Sequence, residues 1–425
     1  MELIKWWFYS LILSVIGEKQ KPLIYTTKNN LSRDSKKPFI WIFCSTIGEL
    51  NGCKPIIESL SKFYSLVLIS DRDCYADAYR VQFPDAQVVQ LTGWKNEAKS
   101  LYKLFPTHHF ILCEIPCKPN DAPCRLSYAF LRYLKKQKAT LVAVNSWLYE
   151  YAPSCKQDVI ERRLFSKEYV RLFDSFMVQT DAVKEKLNKA GALKSNIHVT
   201  GNLKFDAVSD LKVHFKDDNA KSLFSQLHML DKSIFVAGSL SDKYEYMALI
   251  DAFVTLKNSS PNTLMIMAPR HPEKQQQLDV IAELLTKKNL KFQFRSQVEK
   301  PLDSTLDVLV LDTFGELRGL YSVSNFSYIG KNHNVLEPLA FGKPVVITSG
   351  WESTYPSYPV YEISKQNGLL FEIENPADLG EELIKLSALS SEQFKLKTMR
   401  TLQDLATTLA KNIRILQKLK IMKQV

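Results

Sequence analysis

Residues 307–347 read DVLVLDTFGELRGLYSVSNFSYIGKNHNVLEPLAFGKPVVI. Asp307 to Leu311 is an apolar run closed by polar residues and reads as a buried strand; Gly315 opens the turn, and Glu316 to Ser324 has helical spacing. The device then repeats. Phe326 to Ile329 is strand-like, Asn334 to Phe341 reads as a short helix, and Gly342-Lys343-Pro344 leads into the strand Val345 to Ile347. Two successive strand-turn-helix units predict a parallel sheet with polar strand tips. Backbone N–H groups at such helix starts are placed to face a phosphate.

Working outward, strands are expected at Ser233 to Gly238, Thr263 to Ala268 and Lys291 to Phe294. An earlier series alternates in the same way: strands at 38–43, 65–70, 87–91, 110–115 and 139–145, with helices through Phe63, over 75–83 and over 122–137. Segments near Ser175 to Val178 and His198 to Thr200 complete it. Asp206 to Lys232 is polar and lacks a strand pattern, which puts the domain junction there. The expected fold class is therefore α/β, with two facing Rossmann-like domains and a cleft at the strand C-termini. The boundaries read 1–18 for a terminal helix, 19–210 for the first domain and 211–425 for the second, which includes a basic last helix.

A chain of 425 residues exceeds one comfortable core, since domains average about 150 residues. Its 45% hydrophobic and 24% charged residues are ordinary for a globular protein, with no internal repeat or low-complexity segment. All seven cysteines fall within the first 155 residues without C-x-x-C spacing, as for reduced, buried thiols in a cytosolic compartment. Cys113, Cys117 and Cys124 lack a fourth partner, so no zinc is expected. A formal charge of +11 favours an anionic partner, but no nucleic-acid reader motif is present.

The two ends stand apart from the alternating pattern. Trp6 to Ile16 is apolar, and bilayer crossing needs about 20 such residues, so this segment reads as an anchor lying at a membrane surface; a buried first helix is the competing reading. At the other end Lys411, Arg414, Lys418, Lys420 and Lys423 interleave with Ile413, Ile415, Leu416, Leu419 and Met422. This is either a cationic membrane-surface helix or a last helix that packs and turns its lysines to water.

Several strand tips carry candidate chemistry. Glu49, in Ile47-Gly48-Glu49 after the first strand of its series, presents a carboxylate where a general base for a hydroxyl would sit, or merely favours its helix start. Arg270 and His271 lie in a proline-bracketed loop, where an arginine fork can hold a phosphate leaving group, or a salt bridge can staple the loop. Gly238 and Ser239 supply close backbone approach and a hydroxyl; Lys204 can reach an anion. Asp71-Arg72-Asp73 has the look of a metal-holding aspartate pair but is better read as a solvated helix cap.

Taken together, Gly48-Glu49, Val199 to Asp206, Ala237 to Ser239, Ala268 to Glu273, Asp312 to Leu317 and His333 to Pro338 resemble the bacterial lipid A Kdo transferases over nearly the whole chain, Kdo being 3-deoxy-D-manno-octulosonic acid. The resemblance implies a GT-B type glycosyltransferase with a membrane-associated first helix. It implies inverting, metal-independent transfer of Kdo from CMP-Kdo to a phosphorylated lipid A precursor in lipopolysaccharide biosynthesis, on the cytoplasmic face of the cell inner membrane, with no cofactor. By the same resemblance Glu49 is the catalytic base, and Glu114 and Lys204 belong to the acceptor side. Gly238, Ser239, Arg270, His271, Phe314, Gly315, Glu316, Asn334 and Glu337 fall on the donor side. The pattern departs at Ile329 to Asn332, where a glycine-rich stretch is shortened, at Asn145-Ser146-Trp147, and at Cys117-Lys118-Pro119.

Overall fold

A computed structural model describes residues 2–16, 20–25, 37–72, 75–121, 124–150, 152–153, 155–208, 217–298, 302–389 and 391–423. The chain forms two compact units, Met1–Ala207 with Ala406–Val425, and Val208–Leu405.

The first unit holds β1 (Leu23–Tyr25), β2 (Phe39–Phe43), β3 (Ser65–Ser70), β4 (Gln87–Gln90), β5 (Thr107–Cys113), β6 (Thr140–Ser146), β7 (Ser175–Val178) and β8 (Ile197–Val199). They lie in the order β1-β4-β3-β2-β5-β6-β7-β8. Every pairing is parallel except that of β1 with β4. Successive side chains of β2 alternate between two cores: Trp41 and Phe43 point to one, Ile40 and Ile42 to the other. Burial on both faces is why these strands read as unbroken apolar runs rather than as alternating ones. The strand order reverses between β2 and β5, so the tips of those two strands flank a crevice in which open α/β sheets bind ligands.

The second unit repeats the plan. Its strands are β9 (Ser233–Leu240), β10 (Thr263–Pro269), β11 (Phe292–Phe294), β12 (Val308–Val310), β13 (Phe326–Ile329), β14 (Val345–Thr348) and β15 (Leu370–Ile373). All are parallel, in the order β11-β12-β10-β9-β13-β14-β15. Here the order reverses between β9 and β13.

Three sequence expectations need correction. The basic C-terminal segment, assigned to the second domain, packs on the first: Leu416, Ile421 and Met422 are buried in the core that holds Ile40 and Ile42, and Tyr64 Oη donates to Ile421 O over 2.5 Å. The helix Thr408–Lys418 buries this edge and leaves Lys411, Arg414 and Lys418 exposed. Second, Leu23–Tyr25 pairs with the sheet edge, ahead of the strand series that the sequence starts at residue 38; residues 26–36 lie outside the described residues. Third, the helices expected over 316–324 and 334–341 are only Leu317–Val323 and Leu336–Ala340. Such short helices carry little macrodipole, so phosphate binding there cannot be ascribed to one.

The first helix, Glu2–Ile16, docks by one face. Tyr9 and Leu13 are buried beside Phe165, Lys5 Nζ donates to Leu164 O and Glu168 at 3.1 Å, and the Arg132 guanidinium lies 4.6 Å from the Trp6 ring. Each such apolar side chain withdrawn from water contributes about 1.5–3 kcal/mol. The opposite face exposes Leu3, Ile4, Trp7, Phe8, Leu11 and Val15. Among the described residues no helix is long and apolar enough to cross a membrane.

Candidate functional site

The crevice of the first unit is built by residues that follow β2 and β5. Thr46 caps the helix Ile47–Ser61 by accepting from Glu49 N, and Glu49 turns back so that its Oε2 accepts from Ser45 N at 2.6 Å. This pair of bonds, a capping box shifted so that the carboxylate takes the N–H one residue before the cap, fixes the carboxylate at the helix start. Its other oxygen has weaker company among the described residues: the Thr46 hydroxyl at 3.2 Å and the Cys124 thiol at 3.9 Å. Burial pushes the Glu49 carboxyl well above the usual carboxylate range, and the negative charges of Glu114 and Asp71 add to the rise.

Glu114 follows β5 in a left-handed backbone conformation, φ 63°, that aims its side chain into the same crevice. Lys204 Nζ donates to its Oε1 at 3.0 Å and Asn145 Nδ2 to its Oε2 at 3.2 Å. Lys204 is thus committed to Glu114. Its stem runs across Gly52, where a Cβ would stand only 3.2 Å from Lys204 Cε and Cγ. Asp71 Oδ1 accepts from Ser45 Oγ and its Oδ2 from Arg125 N, at 2.6 and 2.8 Å, which makes it a clamp between loops; Asp73 lies outside the described residues. Cys113, Cys117 and Cys124 are buried free thiols, and no cluster able to hold a metal occurs among the described residues.

In the second unit, residues after β9, β10 and β13 converge. Gly330 N donates to Gly238 O at 2.9 Å, and a Cβ at Gly330 would stand 2.3 Å from Ser239 O, so two backbones touch there. A Cβ at Gly238 would collide with Tyr321 Oη at 1.8 Å. Arg270, exposed, is held at its N–H by Leu240 O, 2.8 Å away. His271 Nδ1 meets Glu273 Oε1 at 3.1 Å. His333, whose Nε2 is 3.3 Å from Ser241 Oγ, is pushed down to about 4, by burial first and then by the positive charges of Arg270 and His271. It is therefore a neutral imidazole at neutral pH. Asn334 Nδ2 donates to Glu337 Oε1 at 3.3 Å; burial raises the Glu337 carboxyl.

The Gly-Glu turn differs from expectation. Gly315 takes φ 89° and Phe314 is exposed, but Glu316 is buried and held by Arg295, whose Nε and Nη2 reach Oε1 at 3.0 and 2.8 Å while Thr313 Oγ1 reaches Oε2 at 2.6 Å. Glu316 serves the turn, not an open surface. Sequence reasoning gave no role to Arg295, Asn145, His333 or Glu245 and took Asp71 for a solvated cap; that Asn145 and His333 fall in stretches compared with the Kdo transferases was the available signal.

Comparison with known proteins agrees with this frame. A sequence profile described as 3-deoxy-D-manno-octulosonic-acid transferase (kdotransferase) matches residues 126–207. A 3-deoxy-D-manno-octulosonic acid transferase of Aquifex aeolicus is 24% identical over 84% of this chain and 88% of its own length. Its counterpart from Haemophilus influenzae is 30% identical over 48% of this chain and 46% of its own length. The chain is thus similar to Kdo transferases over most of its length. A bifunctional glycosyltransferase/methyltransferase of Fusobacterium nucleatum is 25% identical over 77% of this chain but 50% of its own length, so the chain spans about half of this relative and of the Haemophilus Kdo transferase. Among solved structures, a putative UDP-N-acetylglucosamine 2-epimerase from Listeria monocytogenes (TM-score 0.61, 14% identity, 92% of this chain and 98% of that one) shares the fold. So does a glycosyltransferase from Rickettsia africae (TM-score 0.57, 13% identity, 92% and 100%). Two parallel-sheet α/β domains that resemble those of GT-B glycosyltransferases thus carry the motifs read from the sequence.

Proposed function

We propose that this chain transfers Kdo from CMP-Kdo to a lipid A precursor, with inversion and without a metal, as a step of lipopolysaccharide assembly at the cytoplasmic face of the inner membrane. The Glu49 carboxylate takes the proton of an acceptor hydroxyl, whose oxygen forms a bond to the anomeric carbon of Kdo from the side opposite the phosphate. The bond from that carbon to the phosphate oxygen breaks, and its electron pair leaves with CMP. Arg270 supplies positive charge to the departing phosphate in a fork geometry that needs no proton transfer. Neutral His333 offers a further donor.

The observation that carries this reading is the uneven hydrogen bonding of Glu49: one oxygen locked by Ser45 N–H, the other met, among the described residues, by a hydroxyl and a thiol. Relatives named as Kdo transferases support the choice of sugar. Exposed apolar side chains along the first helix support a membrane-bound acceptor. Incubation with CMP-Kdo and lipid A precursor, read by mass, should show one or more Kdo additions. Glu49→Gln should lower kcat by about 10²–10⁴-fold, the usual weight of a general base, with CMP binding retained. Unchanged turnover in that variant rules out Glu49 as the base.

A further inference from the structure

Glu245 stands in the second unit where Glu49 stands in the first. Each is the third residue of the helix that follows the first strand at its switch point, with an N-cap three residues earlier, Asp242 for Glu245 and Thr46 for Glu49. Each carboxylate turns back to accept a backbone N–H one residue before that cap, Ser241 N to Glu245 Oε2 and Ser45 N to Glu49 Oε2, both at 2.6 Å. The two helices even bury the same register, Leu249, Phe253 and Leu256 against Cys53, Ile57 and Leu60.

The second oxygen separates them. In Glu49 it is only loosely engaged, whereas Glu245 Oε1 accepts from Tyr328 Oη at 2.9 Å, and the Lys331 backbone N–H lies near enough to favour the ionised carboxylate. Tyr328 belongs to β13 and Ser241 follows β9, so this one carboxylate ties together the two strands that diverge at the crevice. Beyond Lys331 comes His333, whose imidazole meets the Ser241 hydroxyl. A Cβ at Gly330 would stand 3.2 Å from Glu245 Oε1, which shows how closely the loop is drawn against the carboxylate.

We infer that Glu245 is a positioning residue that fixes the loop Gly330–His333 in the shape that receives the donor's phosphate, without touching the donor itself. This rests on the reading of that crevice as the donor site. A carboxylate suits the task because it has only acceptor sites, and the groups that meet its two oxygens, Ser241 N–H and Tyr328 O–H, are donors. An amide in its place turns an N–H2 toward one of those donors, and the loop loses an anchor.

The test uses the full chain and three variants, Glu245→Gln, Tyr328→Phe and their combination, with CMP as the probe. Glu245→Gln should weaken CMP binding roughly tenfold by calorimetry, and Tyr328→Phe roughly threefold; the double variant should match Glu245→Gln alone, because groups in one network are not additive. Amides of residues 331–333 should exchange with solvent at least about tenfold faster in Glu245→Gln, while those of β10 keep their protection. A general loss of protection across both, or unchanged exchange at 331–333, overturns the inference. If the wild type binds no CMP, the donor reading fails, and exchange at 331–333 still decides whether Glu245 holds the loop. If Glu245→Gln does not fold, the same readouts on Tyr328→Phe decide.

Discussion

Glu49 illustrates how a structural device and a reactive group share one side chain. Its capping role removes rotamer freedom, so the carboxylate is already oriented before any ligand arrives. Burial and the charge of Glu114 hold it above the ordinary carboxylate range. A base works only when ionised, so the rate should rise with pH through that elevated value. Glu114→Gln removes a negative charge while Lys204 remains cationic, which favours ionised Glu49. The acidic limb of kcat/KM against pH should therefore move to lower pH in Glu114→Gln. A limb that stays in place, or moves upward, means that Glu114 does not tune the base.

At the scale of elements, the turn Thr313–Glu316 depends on a partner that the chain supplies from 21 positions earlier. Arg295 sits on the short turn after β11 and meets Glu316 with side chains 10% and 6% exposed. Arg295→Met leaves a buried carboxylate without its cation and should destabilise the second unit by about 3–5 kcal/mol, measured by denaturant unfolding. A loss below about 1 kcal/mol would mean that water reaches Glu316 instead. This pair shows what the sequence displays and what it hides. Strands such as β3, β7 and β13 were legible because burial on both faces demands continuous apolar runs. Glu49, Arg270 and Asn334 stood out because polar residues directly after such runs lie at strand tips. The partner of a buried charge is chosen by three-dimensional proximity, so Arg295 in a polar stretch looked like surface. Tyr328, inside an apolar strand, looked like core, and its hydroxyl gave no sign of reaching Glu245. β1 was too short for its pattern to rise above the polar residues around it.

For the molecule as a whole, the two terminal helices cover opposite faces of the first sheet, Tyr9 and Leu13 on one side, Leu416 and Met422 on the other. The apolar stripe Ile4, Trp7, Phe8, Leu11 and Val15 recurs at spacings of three and four and faces away from the core. Trp7→Ser, Phe8→Ser and Leu11→Ser combined should abolish flotation with anionic phospholipid vesicles while leaving the melting temperature unchanged, because these side chains contribute little to folding. Continued flotation would mean that this stripe is not a membrane anchor.

The return of residues 406–425 to the first unit also orders events at the ribosome. The apolar patch that receives Leu416, Ile421 and Met422 is translated hundreds of residues before its cover, so it waits uncapped while the intervening unit is synthesised. A chain that ends just past residue 405 and has left the ribosome should therefore hold a loosened first unit, open to chaperones and proteases, while its second unit has every residue needed to close.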